Sequence, residues 1–299
     1  MNARTGTKTM TQTSIAIIGG SGLYQMDGLT DVVEHTINTP FGATSDSIVT
    51  GLLDGVRVAF LARHARGHKL LPSEIPFQAN IWALKSLGVS YLMSVSAVGS
   101  LQEDAAPLDA VLPHQFIDMT DGRPRSFFGS GAVAHASLAD PICPALREVL
   151  WQATQSTGFG RGRVHNGGTY VCIEGPQFST RAESHMYRQW GATLIGMTNM
   201  PEARLAREAE IAYATLALVT DYDSWRERTE AVTADMAIAN VMENAANAQK
   251  VVREVIKRLG ANPPVSAAHT ALSASMITQP ADMSAEVQAR LQPLLARFL

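Results

Sequence analysis

Apolar residues along the chain fall into short β-branched runs that alternate with stretches of helical spacing. "SIAIIGG" (14–20) ends in glycines and predicts a first buried strand that enters a tight loop. Residues 47–64 hold two apolar runs around Asp54-Gly55, the dipeptide of a two-residue hairpin. In 72–89 the apolar positions recur at helical spacing, with Ser73 as a candidate N-cap and Gly88 as the stop. "SYLMSVSAVGS" (90–100) is again a strand that runs into a small-residue loop.

The second half repeats the alternation. Helices are predicted over 140–158, 181–191 and 201–210, and strands over 167–175, 192–200 and 211–220. A long closing helix follows over 232–260, with Thr233 as its cap. Alternation of this kind predicts one α/β domain over 14–260, a mostly parallel sheet with helices on both faces. Residues 1–13 read as a short disordered leader. Residues 261–299 are rich in Pro, Ser and Ala and read as an extended tail. Its end, 284–299, has the pattern of a short amphipathic helix interrupted by Pro293. That tail either docks on the body or a neighbouring subunit, or stays disordered.

Composition narrows the function classes. Apolar residues make up 46% of 299, enough for a sizeable core, and charged residues only 17%. The formal net charge of −3 gives no basic surface for nucleic acid, though single phosphates can still be bound locally. Two cysteines, Cys143 and Cys172, are too few for a disulfide framework or a zinc cluster and fit a cytoplasmic protein. No apolar stretch approaches a membrane span.

In open α/β sheets, ligands sit in the loops after the carboxyl ends of strands. Four such loops carry suggestive chemistry. "GGSGL" (19–23) lets backbone approach an anion and adds the Ser21 hydroxyl; a tight structural turn explains it equally well. "LARHARGH" (61–68) offers Arg63, a forked donor for phosphate, beside His64; the plain alternative is a solvated basic turn. Ser96, with the Ala97 amide, ends the strand over 90–100. Thr198 and the pair Asp221 and Asp223 end the last two. Convergent donors without a metal-ligand cluster suit inorganic phosphate better than a magnesium-bound nucleotide.

"GGSGL", "RHARGH", "NIWALKSLG", "SAVGSL", "QFIDMTDGRPRSFF", "IEGPQFSTRAES", "GMTNMPEARLAREA" and "TDYDSW" occur together and in order. They resemble the S-methyl-5′-thioadenosine phosphorylase branch of the purine nucleoside phosphorylase family, over about residues 14–258. The resemblance implies a trimeric, single-domain fold with a central mixed β-sheet flanked by helices. It implies attack of phosphate on C1′ of methylthioadenosine, which releases adenine and 5-methylthioribose 1-phosphate. Phosphate is then a co-substrate, and no metal or organic cofactor is needed. By matching motif it would meet Ser21, Arg63, His64, Ser96, Ala97 and Thr198. Met197 would lie against the ribose, and Phe178 against the base, with Ser179 beside it. Ala234, Ala237 and Ile238 would line the 5′ end of the nucleoside, and His135 would approach that end from a neighbouring subunit. Relatives carry larger aliphatics than the two alanines, which implies a roomier 5′ pocket here.

Departure of a purine needs a proton or strong hydrogen bond at N7, which a carboxylic acid supplies. Asp221 is the candidate for that role, and Asp223 the candidate acceptor for the 6-amino group. A carboxylate accepts from an amino group and repels the carbonyl of 6-oxopurines, so the pair favours adenine. The competing readings are phosphorylases acting on adenosine, inosine or methylthioinosine, a hydrolase that uses water, and a dinucleotide-dependent or non-catalytic nucleotide-binding protein. If the chain stays extended past Thr220, Asp221 and Asp223 share one side and Tyr222 the other.

Overall fold

The computed structural model describes residues 13–20, 26–226 and 234–299, and only the backbone of 234–241. The strands are β1 (Ile15–Gly19), β2 (Thr30–His35), β3 (Asn38–Thr39), β4 (Gly42–Ala43), β5 (Ile48–Leu53), β6 (Val56–Ala62) and β7 (Tyr91–Ser100). They continue with β8 (Ala110–Val111), β9 (Gln115–Met119), β10 (Val164–His165), β11 (Thr169–Ile173), β12 (Leu194–Gly196) and β13 (Ala212–Tyr222). The helices are α1 (Phe77–Ser86), α2 (Pro144–Thr157), α3 (Arg181–Gln189), α4 (Asn199–Glu208), α5 (Ala234–Ala261) and α6 (Ala285–Leu295).

Eleven strands make one mixed sheet. Its path is β10-β8-β13-β7-β1-β6-β5-β2; β12 also pairs with β7 and carries β11 and then β9. The centre, β13-β7-β1-β6, is all parallel, so four strand ends emerge on one edge. These strands are apolar on both faces: Ile15, Ile17, Phe60, Leu92 and Leu216 are buried. The β5–β6 hairpin turns at Asp54 and Gly55, both at positive φ, as a two-residue type I′ turn requires.

Three expectations change. The helix expected from Ser73 starts at Phe77, after a 3₁₀ turn over Pro72–Glu74. Pro76 forces Ile75 into an extended conformation and so separates the two elements. The sheet is less parallel than the alternation implies, because β5 and β12 run antiparallel and the polar edge strand β2 gives no apolar signal. The segment after residue 260 is not an extended tail; it takes the alternative of a short amphipathic helix docked on the body. It forms two 3₁₀ turns and α6, which buries Val287, Leu291, Leu294 and Leu295. Pro293 lies inside α6 without ending it; apolar burial holds the turn that the missing N–H would have closed. Trp82 of α1 donates to the Arg290 carbonyl at 2.9 Å, which ties the segment to the body. Thr233 and residues 1–12 of the leader lie outside the described residues; Thr13 is buried.

Candidate functional site

Strand order brings the candidate residues to one edge of the sheet. Arg63 follows β6, and its amide donates to Gly19 at the end of β1. Ser96 and Ala97 lie in β7 between these strands and β13. β12 runs antiparallel along the end of β7, with Ile195 opposite Gly99. Ser96 lies within β7, and Thr198 follows β12 by two residues as the N-cap of α4. Both residues are buried, and Ala97 is exposed. Ser21 lies outside the described residues.

Arg63 is buried in a saturated environment. Its Nε and Nη2 donate to Glu202 at 2.7 and 3.0 Å, Nη2 also to Ser94 Oγ at 2.6 Å, and Nη1 to the Val95 carbonyl at 3.1 Å. Burial alone would lower its pKa; the Glu202 carboxylate reverses this and holds it raised. Glu202 also accepts from Tyr213 Oη at 2.8 Å. The fork therefore grips Glu202, and Arg63 offers an anion chiefly its charge and what remains of Nη1.

His64 stacks on His68, with ring centroids 4.2 Å apart. Burial, with the positive Arg63 beside it, lowers its pKa to about 4. Its Nδ1 meets the Leu70 carbonyl at 2.9 Å. A carbonyl only accepts, so the neutral ring carries its hydrogen on Nδ1 and leaves Nε2 as an acceptor.

Along the same edge, β13 stays extended to Tyr222, past a bulge between Val219 and Asp221. Asp221 pairs with Gly99. A Cβ on Gly99 would meet Asp221 Oδ1 and the Asp223 Cβ, each at 3.4 Å, so both aspartates flank one point. They differ in burial. Asp221 is exposed and accepts from Thr220 Oγ1 at 2.7 Å. Asp223 is 7% exposed, and its Oδ2 has no hydrogen-bond partner among the described residues. The Asp223 amide and the Trp225 indole both donate to the Ser100 carbonyl, at 3.0 and 2.8 Å, and Arg188 stacks on Trp225. Ser179 is buried with an unpartnered Oγ, while neighbouring Phe178 is 80% exposed.

Comparison with known proteins places this arrangement in a family. The model of the phosphorylase superfamily matches residues 14–257. An S-methyl-5′-thioadenosine phosphorylase of Synechocystis sp. is 57% identical over 97% of this chain and 89% of its own. One from Thermosynechococcus vestitus is 56% identical over 95% and 99%. The chain belongs to the S-methyl-5′-thioadenosine phosphorylase family. Among solved structures, a methylthioadenosine phosphorylase sourced from an antarctic soil metagenomic library has a TM-score of 0.93. It is 58% identical and covers 95% of this chain and 100% of its own. A Schistosoma mansoni methylthioadenosine phosphorylase in complex with adenine has a TM-score of 0.76 at 36% identity, over 84% and 93%.

In this phosphorylase, Arg123 is a buried residue beside Met197 that the sequence alone does not single out. It gathers the ends of two strands. Its Nη1 donates to the Met197 and Met200 carbonyls at 2.8 Å, and its Nη2 to the Glu174 carbonyl at 2.7 Å. Met197 is thereby fixed beside Gly175, where a Cβ would meet its sulfur at 2.5 Å. Arg123 and Glu202 both sit inside quoted motifs, "DGRPR" and "NMPE", but a sequence does not say which charges are buried. Ala234, Ala237 and Ile238 lie at the start of α5, and their side chains fall outside the described residues. His135 is exposed, on a segment bridged to the C-terminal region: Ala134 pairs with Met276, and the His135 amide donates to Ser275.

Proposed function

We propose that this chain catalyses phosphorolysis of S-methyl-5′-thioadenosine to adenine and 5-methylthioribose 1-phosphate. The observation that carries the reading is the meeting, at one sheet edge, of a buried cation with strand-end hydroxyls and an aspartate pair. Family membership and the names of relatives at 56–57% identity support the same substrate.

In the reaction the C1′–N9 bond breaks and its electron pair leaves with the purine. A phosphate oxygen forms the new bond to C1′, and the purine gains a proton at N7. Positive charge develops on the ribose, so an anion held beneath C1′ stabilises the transition state. Arg63, Ser96, the Ala97 backbone and Thr198 hold that anion, with Ser21 completing the set. Neutral His64 offers Nε2 as acceptor to the remaining O–H of hydrogen phosphate. Met197 supports the ribose, and Phe178 and Ser179 border the base. Asp221 delivers the N7 proton, and Asp223 accepts from the 6-amino group with its unpartnered oxygen. His135 reaches a neighbour's 5′ pocket in a homotrimer, and Ala234, Ala237 and Ile238 line that pocket.

A substrate panel tests this. Methylthioadenosine is expected to be turned over far better than methylthioinosine, and butylthioadenosine nearly as well as the methylthio compound. Asp221→Asn should lower kcat for methylthioadenosine by about 10²–10⁴-fold, the usual worth of general acid catalysis. Equal kcat in that variant contradicts the N7 assignment, and a steep loss with butylthioadenosine contradicts the roomy 5′ pocket.

A further inference from the structure

Tyr170 lies in β11, 0% exposed, opposite Leu194 of β12. Its ring leans along the strands toward Gly196. A Cβ built on Gly196 would meet Tyr170 Oη at 2.0 Å. Only glycine leaves that path open, and it leads toward the strand end from which Met197 and Thr198 continue. Burial pushes the phenol's pKa up, reinforced by Cys172, while the Ser96 and Thr198 hydroxyls and the Arg63 charge oppose the rise. All three opposing groups belong to the phosphate region. The β7–β12 pairing, Leu194 with Ser100 and Ile195 with Gly99, leads from Gly196 toward the same strand end.

Neither Tyr170 Oη nor Ser96 Oγ has a hydrogen-bond partner among the described residues. The Thr198 hydroxyl reaches Asn199 Oδ1 only at 3.5 Å. Buried hydroxyls without partners are costly, and native interiors rarely keep them. Phenylalanine would fill the same space without that cost. A cluster of such hydroxyls under a strand-end loop makes sense when an acceptor arrives from outside.

The geometry points to Tyr170 as a positioning residue for phosphate, an inference that rests on the phosphorylase reading of this site. Each hydroxyl has one hydrogen and two lone pairs. When an anion draws the Ser96 and Thr198 hydrogens toward it, their lone pairs are left for the Tyr170 O–H to donate to. The anion's charge then strengthens this chain of bonds. Tyr170 itself need not touch phosphate.

Tyr170→Phe removes only the hydroxyl. KM for phosphate is expected to rise about tenfold, the worth of one bond coupled to a charged group. KM for the nucleoside should change less than about threefold. Without phosphate the melting temperature should hold or rise, and the stabilisation conferred by phosphate alone should shrink. The loss should be less than additive with that of Ser96→Ala. Strict phosphate dependence in the unaltered chain, with an unchanged phosphate KM in Tyr170→Phe, overturns the inference alone. Adenine release without phosphate by the unaltered chain overturns the phosphorylase reading as well.

Discussion

Arg63 shows how one residue serves structure and chemistry together. Its fork binds Glu202 bidentately in a site closed to water, so the guanidinium cannot swing. Glu202→Gln keeps the shape and removes the charge. Uncompensated buried charge costs about 3–5 kcal/mol. Denaturant titration should show a loss at the low end of that range, and KM for phosphate should rise. Unchanged stability would mean that the pair is not buried as described. His64 adds a pH dependence. Its pKa lies near 4 in the fold, below the ordinary value of 6.5. Between these values the unfolded chain binds the proton and the folded chain does not, so stability is full above about pH 6.5 and falls as pH drops toward 4. His269, also lowered by burial, acts in the same direction. Melting temperatures across that window should fall less steeply in His64→Gln; an equal slope contradicts the assignment. His64 and Asp223 could be named from the sequence because they stand at strand ends. Glu202, Arg123 and Tyr170 could not, because their roles depend on burial and on partners far away in the chain.

At the scale of elements, apolar period and turn chemistry were the legible part. β1, the β5–β6 hairpin, β7, α2 and β13 fall where runs of Ile, Val and Leu and the Asp54-Gly55 pair put them. What stayed hidden was held by distant contacts. β2 has an exposed, polar pattern and exists because it pairs with β5. The C-terminal segment reads as a tail because its helix is short and contains Pro293. It folds because Glu210, buried at the entry to β13, collects the Leu272 amide at 2.8 Å and both Arg297 donors at 2.6 Å. Arg297 is 39% exposed, so solvent screens this pair, and Arg297→Ala should cost about 1–2 kcal/mol, less than a fully buried pair. Glu210 lies at the opposite end of β13 from Asp221, so kcat should be unchanged. A denaturation midpoint equal to that of the unaltered chain would show that the segment is held by its apolar face alone.

For the molecule as a whole, the parallel centre of the sheet gives the site its logic. Four strand ends on one edge put Arg63 and Ser96 near β1, β6 and β7 and the aspartate pair at β13, with β12 running antiparallel along the end of β7, the layout on which the proposed reaction rests. Among the described residues no helix is long and apolar enough to cross a membrane. Val133 and Ile277 are exposed apolar residues joined through the Ile277 amide, on the same bridge that carries His135. The central claim is that phosphate, not water, takes the ribose. It is tested most directly by incubating the purified chain with methylthioadenosine, with and without phosphate, and measuring both products. The account predicts adenine and 5-methylthioribose 1-phosphate in equal amounts, and only when phosphate is present. Adenine with free methylthioribose, formed equally well without phosphate, would contradict it.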